Sequence, residues 1–369
     1  MTVRRVVLAT DAVGGVWTYS VELARALREF GVEAVLTAMG PSPSADQISD
    51  ADGLRVIDTG LPLDWLAEHP RDVRGAGDEL ARLAASEGGE IVQLHSAALA
   101  CDAAFDAPVV AVQHSCVATW WDSVRGGPLP PDFAWRRDMV ECGLKRADAV
   151  VAPTLAFAAQ VERTYGLRRV NAVHNGRRSI ALPERPQADF VLTVGRLWDD
   201  GKNVRTLDAA AALLDVAVEA IGPVRGPDGT AAGFEHLRMP GPLGGEALAE
   251  RLGARPIFAS SALYEPFGLS ALEAAQAGCA LVLSDIATFR ELWSGAAIFV
   301  EPRNAEAFAR AVSELLQDSE MRERLGRAAQ RRALTYAPGA MAARMVQIYE
   351  QVVASHDRVA EPLACAGAA

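Results

Sequence analysis

The feature that most constrains the fold of this chain is an alternation of strand-like and helix-like segments, which occurs twice along the sequence. The first alternation begins with the strand Arg4–Thr10 and the helix Gly14–Phe30, and the second with the strand Phe190–Gly195 and the helix Asn203–Leu214. Such alternation is typical of βαβ units, in which parallel strands form one sheet with helices on its faces. The sequence therefore predicts the α/β class, with two Rossmann-like, doubly wound domains in tandem.

The length of the chain, 369 residues, supports the same division because a single hydrophobic core rarely grows so large. A segment with Pro183 and Pro186 separates the two alternations, and an amphipathic helix, Gly339–Ala354, follows the break at Pro338. The predicted boundaries are 1–178 for the N-terminal domain, 179–188 for a linker, 189–337 for the C-terminal domain, 338–355 for the last helix and 356–369 for a disordered tail.

Composition argues against two classes of partner. The net charge is −11 at pH 7, whereas binding to nucleic acid or to an anionic membrane needs clustered Lys and Arg. One short span is richer in basic residues, and it is either a solvated helix face or a patch for lipid headgroups. These residues are Arg125, Arg136, Arg137, Lys145 and Arg146. We expect no nucleic-acid partner and at most peripheral membrane contact.

The cysteines and the apolar pattern bear on the cellular compartment. Five cysteines show no paired spacing, which predicts buried thiols in a reducing compartment. They are Cys101, Cys116, Cys142, Cys279 and Cys365. The sequence also shows no apolar span of the length of a signal peptide or a transmembrane helix. We therefore expect a cytoplasmic protein.

Two glutamates, Glu265 and Glu273, lie on either side of a turn and the start of a predicted helix. Pro266 disfavours helix at Glu265, and Gly268 lets the backbone approach a ligand closely. The free N–H groups of a helix N-terminus favour an anion such as phosphate, whereas carboxylates repel phosphate and accept hydrogen bonds from hydroxyls. A nucleoside diphosphate sugar offers both kinds of group, so this segment predicts a nucleotide-sugar site.

Two cations, Arg196 and Lys202, follow the first strand of the second domain. Arg offers a planar fork of donors and Lys a mobile point charge, which together suit a leaving diphosphate. The alternative is that both are surface cations that pair with Asp199 and Asp200.

The first domain contributes weaker signals. Gly14 and Gly15 stand between the first strand and the first helix, where they either bring backbone N–H groups to a phosphate or form an ordinary turn. His114 ends an apolar strand, so it is either a core histidine or a residue of the site at the carboxyl edge of the sheet. Trp120 and Trp121 lie in a segment without clear periodicity, where they either stack on a bound sugar or aromatic group or pack beneath a loop.

With these residues in view, the chain resembles the family 4 glycosyltransferases, which are retaining enzymes of the two-domain GT-B architecture. The resemblance spans nearly the whole chain. It rests on the Glu-x7-Glu segment from Glu265 to Glu273, on Val194-Gly195-Arg196 with Lys202, and on Gly14-Gly15, all in matching order and spacing. It implies that the two domains face a cleft and that the last helix crosses back to the N-terminal domain.

The resemblance also implies roles for individual residues. Glu265 would contact the donor hexose and Glu273 the ribose hydroxyls, while the amides of Phe267, Gly268 and Leu269 would lie by the sugar and the distal phosphate.

By the same resemblance, Arg196 and Lys202 would neutralise the diphosphate and His114 would reach the transferred sugar. Gly15, beside Gly14, would approach the phosphate from the facing domain.

The sequence departs from the family after the last strand of the first domain. The family commonly continues Asn-Gly-Val-Asp, but here Asn175-Gly176 runs into Arg177-Arg178. The resemblance therefore assigns no function to that turn.

The expected reaction is retaining transfer of a hexose from a UDP- or GDP-linked sugar to an acceptor hydroxyl, with the leaving phosphate as the base. The acceptor would be a saccharide, a lipid-linked sugar or a small molecule, and it would bind mainly to the N-terminal domain. Glu265 would act either as a nucleophile or to position the sugar. The alternatives are a nucleotide-sugar epimerase, with His114 and Glu265 as its acid and base, and a nucleotide-sugar-binding protein without turnover.

No metal and no cofactor beyond the donor is expected. Asp50-Ala51-Asp52 resembles the metal-binding acid pair of another glycosyltransferase fold, but any two acids in a polar loop give this pattern. No Cys/His cluster with zinc spacing occurs in the sequence.

Overall fold

The computed structural model describes residues 2–179, 182–183, 185–226 and 229–364, with side chains as far as His356. It divides into two compact units. The N-terminal unit consists of the described parts of Met1–Asp122, Gly127–Gly176 and Pro338–Ala369, and the C-terminal unit of those of Ser123–Gly126 and Arg177–Ala337. The predicted linker, 179–188, includes Ile180, Ala181 and Glu184, which lie outside the described residues.

The N-terminal unit contains a sheet of seven parallel strands. These are β1 (Arg5–Asp11), β2 (Glu33–Met39), β3 (Arg55–Asp58), β4 (Ile91–Leu94), β5 (Val109–Val112), β6 (Ala149–Ala152) and β7 (Asn171–Ala172). Their order across the sheet is β3-β2-β1-β4-β5-β6-β7. The chain therefore changes direction across the sheet between β1 and β4.

Helices cover this sheet. They are α1 (Gly15–Leu27), α2 (Ala45–Asp50), α3 (Pro70–Ser86), α4 (Val117–Val124), α5 (Pro131–Arg146) and α6 (Leu155–Tyr165), with 3₁₀ turns at Arg28–Phe30 and Ala97–Ala100. Local chemistry sets the limits of α6: the Thr154 hydroxyl accepts the N–H of Phe157 at 3.1 Å, and Gly166 ends the helix at φ 61°.

The C-terminal unit contains a second sheet of six parallel strands. These are β8 (Val191–Val194), β9 (Val218–Ile221), β10 (Arg238–Gly241), β11 (Ile257–Ser260), β12 (Ala280–Ser284) and β13 (Ala297–Val300). Their order is β10-β9-β8-β11-β12-β13, so the direction changes between β8 and β11. The helices are α7 (Val204–Ala211), α8 (Gly245–Gly253), α9 (Leu269–Gln276), α10 (Ala287–Trp293), α11 (Ala305–Gln317) and α12 (Ser319–Ala333), with a 3₁₀ turn at Asp200–Lys202.

Both units are thus Rossmann-like and doubly wound, which confirms the predicted fold class. The central strands are buried on both faces, as β1 shows with six of its seven residues buried, because helices cover both sides of a parallel sheet. Continuous apolar runs rather than strict alternation are the sequence pattern that this burial produces. The edge strands β3 and β10 are more exposed.

The last helix, α13 (Pro338–Ala364), belongs to the N-terminal unit. Met341, Met345 and Tyr349 are fully buried in the core that also contains Trp17 and Leu23 of α1. The chain therefore returns to its first domain, as the family resemblance implied. The helix extends past Ala354 into part of the predicted tail, and residues 365–369 lie outside the described residues.

The sequence prediction missed three helices. These are α2, which lies in a segment taken as a polar loop, α4 in the segment from Ser115 to Pro131, and α10 over residues 287–293. All three are short, at six, eight and seven residues, and hydrophobic periodicity is weak evidence over so few turns.

The cysteine prediction is wrong for one pair. Cys101 and Cys142 form a disulfide with their Cα atoms 4.9 Å apart, whereas Cys116 and Cys279 are free. The two cysteines are 41 residues apart in sequence and meet because α5 packs on the 3₁₀ turn after β4. The spacing of the cysteines in the sequence therefore does not indicate the disulfide. Cys365 lies outside the described residues.

The basic cluster is engaged within the protein. Arg136 donates to the carbonyl oxygens of Asp64 and Ala67, at 3.2 and 2.7 Å. Salt bridges link Arg125 to Asp200, Arg137 to Asp138, and Lys145 to Glu141. These contacts favour the solvated-face interpretation over a lipid-headgroup patch. Within the described residues, no helix has the length and apolarity needed to cross a membrane.

Two glycines of α3 provide a matched test of this packing. A Cβ at Gly77 would lie 2.4 Å from the carbonyl oxygen of Leu99, whereas one at Gly75 would have no heavy atom within 4 Å. We expect Gly77→Ala to destabilise the protein by about 1–3 kcal/mol through overpacking and Gly75→Ala to stabilise it by about 1 kcal/mol. Urea denaturation measures both, and equal effects of the two substitutions would contradict the packing described.

Candidate active site

The candidate site of the C-terminal unit lies where the strand order reverses. The loops after β8 and β11 leave the carboxyl ends of neighbouring strands at this point. Open α/β sheets bind ligands in the crevice at such a switch point, because the two loops diverge to opposite faces of the sheet. Arg196 and Lys202 come from the first of these loops, and Glu265 from the second.

Lys202 and Glu265 form an ion pair between the Lys202 ammonium and the Glu265 carboxylate. Their side chains are 21% and 13% exposed. The pair is therefore largely shielded from water, which strengthens the attraction relative to a surface pair. The predicted Lys202–Asp200 pairing is not what the structure shows, because Asp200 pairs with Arg125.

The position of Lys202 is fixed by its neighbour Asn203, which has left-handed backbone at φ 51°. The Asn203 amide nitrogen donates to the carbonyl oxygens of Ser261 and Pro302, at 2.9 and 2.7 Å. Asn tolerates this conformation better than most residues. These contacts tie the loop after β8 to the loops after β11 and β13.

Arg196 is held by Asp199, whose Oδ2 accepts from the Arg196 guanidinium at 2.9 Å. Asp199 is buried, and its Oδ1 accepts the N–H of Gly201 at 2.8 Å. The surface-pair alternative for Arg196 is therefore correct about the partner. The Arg196 side chain nevertheless remains 40% exposed, so part of its guanidinium is accessible although its partner Asp199 is buried.

The turn after Glu265 leads directly into α9. Gly268 precedes the helix at φ 88°, and a Cβ there would lie 3.0 Å from the Phe289 ring. Gly268 has no side chain that could cap the helix. The first backbone N–H groups of α9, from Leu269 onward, therefore point out of the helix N-terminus, where a ligand can accept hydrogen bonds from them. Phe267 is buried against Tyr336, with ring centroids 5.7 Å apart, and contributes backbone rather than side chain.

Glu273 lies one turn into α9 and pairs with Arg177 at 3.0 Å. Both side chains are about 15% exposed, at 14% and 15%. Gln276 also donates to the carbonyl oxygen of Arg177 at 2.7 Å. Arg177, where the sequence departs from the family pattern, therefore contacts Glu273, the residue predicted to bind the ribose.

In the N-terminal unit, Gly14 and Gly15 also lie at a switch point, after β1. Gly14 precedes α1 at φ 83°, and both glycines are exposed. The Asp11 carboxylate accepts the N–H of Val13 at 2.8 Å and so shapes the turn. The backbone at this helix start is accessible to a ligand.

His114 follows β5 and contacts a second histidine that sequence reasoning missed. His95 follows β4, the strand beside β5, and its Nδ1 is 2.7 Å from Nε2 of His114. Burial lowers the pKa of His114 to about 3, and burial followed by the charge of His114 lowers the pKa of His95 well below its usual value. Both imidazoles are neutral at physiological pH.

The two tryptophans lie on α4 rather than in a loop. Trp121 contacts Phe133, with ring centroids 5.9 Å apart, and lies 6.3 Å from Trp120 by the same measure. Both are partly buried. This arrangement fits packing of Trp121 beneath α5, and leaves acceptor stacking as a prediction.

The predicted acid pair at Asp50 and Asp52 is separated by the end of α2. Arg25 forms a salt bridge with Asp50 at 3.7 Å. Among the residues that the structure describes, no group of three His, Cys, Asp or Glu side chains has the arrangement of metal ligands.

Comparison with known protein families identifies the class. Residues 13–177 match the model described as Glycosyltransferase Family 4, and residues 230–332 match Glycosyl transferases group 1. Together with the two Rossmann-like units, these matches place the chain among the glycosyltransferases of the GT-B fold. It is an enzyme of this class. No curated protein gives a significant sequence match.

Solved structures give the same fold. Sucrose-phosphate synthase of Thermosynechococcus elongatus has a TM-score of 0.77 at 18% identity, covering 95% of this chain and 100% of that one. HepE of Anabaena in complex with UDP-glucose has a TM-score of 0.73 at 16% identity, covering 94% and 99%. WaaG, a glycosyltransferase involved in lipopolysaccharide biosynthesis, has a TM-score of 0.69 at 14% identity, covering 93% and 99%. At these identities the likeness concerns the fold.

Proposed function

We propose that the protein transfers a hexose from a nucleotide diphosphate sugar, UDP- or GDP-linked, to an acceptor hydroxyl with retention of anomeric configuration. The observation that carries the proposal is the grouping of Arg196, Lys202, Glu265 and the start of α9 at the strand reversal of the C-terminal unit. HepE, one of the structural neighbours, was solved with UDP-glucose, which supports a nucleotide-sugar donor here.

The phosphate side of the donor fits the cations and the helix start. As the bond from the sugar to the distal phosphate oxygen breaks, negative charge grows on that phosphate. Lys202, Arg196 and the first amides of α9 stabilise this charge, and because they are already positioned, they reorganise little during the reaction. A metal ion is not required in this proposal, since these groups supply the positive charge.

The sugar side fits the carboxylates. Glu273 accepts hydrogen bonds from the ribose hydroxyls and Glu265 from the hexose, since ionised carboxylates are acceptors only. The Lys202 ammonium shares the negative charge of Glu265, which weakens its oxygen as a nucleophile. We therefore assign Glu265 to positioning, and the leaving phosphate accepts the proton of the acceptor hydroxyl on the same face of the sugar.

The N-terminal unit supplies the remaining contacts. We assign His114 to the transferred sugar, the amides after Gly14 and Gly15 to the phosphate, and Trp120 and Trp121 to the acceptor. The acceptor is a saccharide, a lipid-linked sugar or a small molecule. We propose a cytoplasmic location, although the Cys101–Cys142 disulfide removes the support that the sequence prediction drew from the cysteines.

A thermal-shift screen of UDP- and GDP-sugars tests donor binding. A donor at a hundred times its Kd stabilises the folded protein by about 2.7 kcal/mol, so the matching donor should raise Tm distinctly. Glu273→Ala should remove most of that rise, whereas Glu314→Ala, at an exposed position of α11, should keep it. No shift with any nucleotide sugar, or equal shifts in both variants, would contradict the proposal. The anomeric configuration of the product, determined by NMR, then tests retention.

A further inference from the structure

A buried polar chain in the N-terminal unit connects the last helix to His114. The Tyr349 hydroxyl on α13 donates to Oε1 of Gln93. The Gln93 amide nitrogen lies 3.2 Å from Nε2 of His95, and Nδ1 of His95 lies 2.7 Å from Nε2 of His114. Tyr349 and Gln93 are fully buried, whereas His95 and His114 are partly buried, so water does not compete for the Tyr349–Gln93 contact.

The chain has a fixed direction because a carboxamide nitrogen can only donate. Gln93 directs its oxygen to Tyr349 and its nitrogen to His95, so Nε2 of His95 must accept. A neutral imidazole with an accepting Nε2 carries its proton on Nδ1. The Nδ1–H of His95 then donates to Nε2 of His114, which leaves the proton of His114 on its own Nδ1.

The ring geometry suits this hydrogen bond. The two imidazole planes differ by 8°, and their centroids are 4.9 Å apart. This separation nearly equals the N···N distance plus the two ring radii, so the rings lie edge to edge in one plane. The lone pair of an imidazole nitrogen lies in the ring plane, and the contact is therefore well aligned.

Neighbouring groups leave this direction unchanged. Ser20 Oγ lies 3.5 Å from Nε2 of His95 but donates to the Val16 carbonyl oxygen at 2.9 Å. The ring of Tyr19 approaches both imidazoles edge-on, with its centroid 4.5 Å from that of His114. The low pKa of His114, caused by burial, keeps the ring neutral, as a single-tautomer donor requires.

We propose that Tyr349, Gln93 and His95 are positioning residues that hold His114 in its Nδ1–H tautomer, so that His114 presents a neutral N–H donor to the transferred sugar. The contact with the sugar rests on the proposed function. The tautomer itself does not, because it follows from the hydrogen-bond chain without any ligand.

The tautomer can be observed directly. In full-length protein with ¹⁵N-labelled histidine and no donor, NMR distinguishes protonated from unprotonated ring nitrogens, and His114→Gln assigns the signals. We expect a protonated Nδ1 and an unprotonated Nε2 for His114 in the wild type. A protonated Nε2 would overturn the proposal.

Two substitutions test the chain. Gln93→Glu replaces the donor by an acceptor, so His95 should move its proton to Nε2 and His114 should then donate from its own Nε2. Tyr349→Phe frees the Gln93 amide to rotate, so both tautomers should be present. Tyr165→Phe is the matched control, since its hydroxyl is also buried but donates to Cys116. Unchanged tautomers in both Gln93→Glu and Tyr349→Phe would refute the proposal that this hydrogen-bond chain sets the tautomer of His114.

Activity gives the second measurement. With folding verified, Gln93→Glu should lower kcat about tenfold, the size of one lost hydrogen bond, with KM for the acceptor unchanged and Tyr165→Phe at the wild-type rate. A switched tautomer with wild-type kcat would overturn the assigned use of the N–H. If the wild type transfers no sugar, the proposed function fails while the NMR result still decides the tautomer.

Discussion

Lys202→Ala should lower kcat for sugar transfer by about a hundred- to a thousandfold, the usual cost of losing one preorganised charge-stabilising group. The ammonium lies beside Glu265 at the start of α9 and is held there by the anchored Asn203. The diphosphate gains negative charge as it leaves, so the loss should appear mainly in kcat. Steady-state kinetics with the donor identified by thermal shift measures it.

Arg205→Ala is the control for this experiment, because Arg205 is an exposed cation of α7 only three residues away. It should leave the rate near that of the wild type. Lys202→Arg should recover part of the activity, since the charge returns with a different reach. A rate for Lys202→Ala within a few-fold of the wild type would contradict the role assigned to Lys202. The rate of Arg196→Ala would then show whether Arg196 stabilises the leaving diphosphate instead.

Glu265→Ala should cost about a hundredfold in kcat/KM, because the hexose loses its acceptor while Lys202 loses its partner. Since Glu265 and Lys202 contact one another, the double variant should be much less impaired than the product of the two single effects predicts. The four rates of this cycle, measured with one donor and one acceptor, give the coupling directly.

Glu265→Gln separates positioning from nucleophilic attack. An amide still accepts a hydrogen bond from a hydroxyl, so a positioning residue should keep activity within about tenfold of the wild type. If Glu265 is a nucleophile, the Gln variant should lose as much activity as the Ala variant, because an amide does not attack the sugar. The wild type incubated with donor alone should then release the nucleoside diphosphate and carry a covalent sugar on Glu265, which mass spectrometry detects. The second pattern would overturn the assignment of Glu265.

Much of the fold follows from the sequence because parallel strands that are buried on both faces are mostly apolar. β1 and β8 lie in mostly apolar runs, and the sequence predicted both, as Arg4–Thr10 and Phe190–Gly195. α10 was missed because seven residues offer fewer than two full turns of periodicity. The Cys101–Cys142 disulfide was missed because its geometry arises only when α5 packs against another part of the unit.

The grouping of the candidate site residues was predicted where they are close in sequence and missed where their contact depends on strand order. The acids around α9 and the cations after β8 were recognised by their residue types and spacing, and their roles stay predictions. His95 does not, because its importance comes from β4 lying beside β5. Arg177 reaches Glu273 from 96 residues away, and its departure from the family pattern was the only available sign.

The membership of α13 in the N-terminal unit has a consequence for synthesis on the ribosome. Domains generally fold in order as they emerge, the N-terminal one first. Here the N-terminal unit lacks Met341, Met345 and Tyr349 until the C-terminal unit has been made, so the C-terminal unit has all its strands before the N-terminal unit has its complete core. Of the two units, the one that is synthesised first completes its core last.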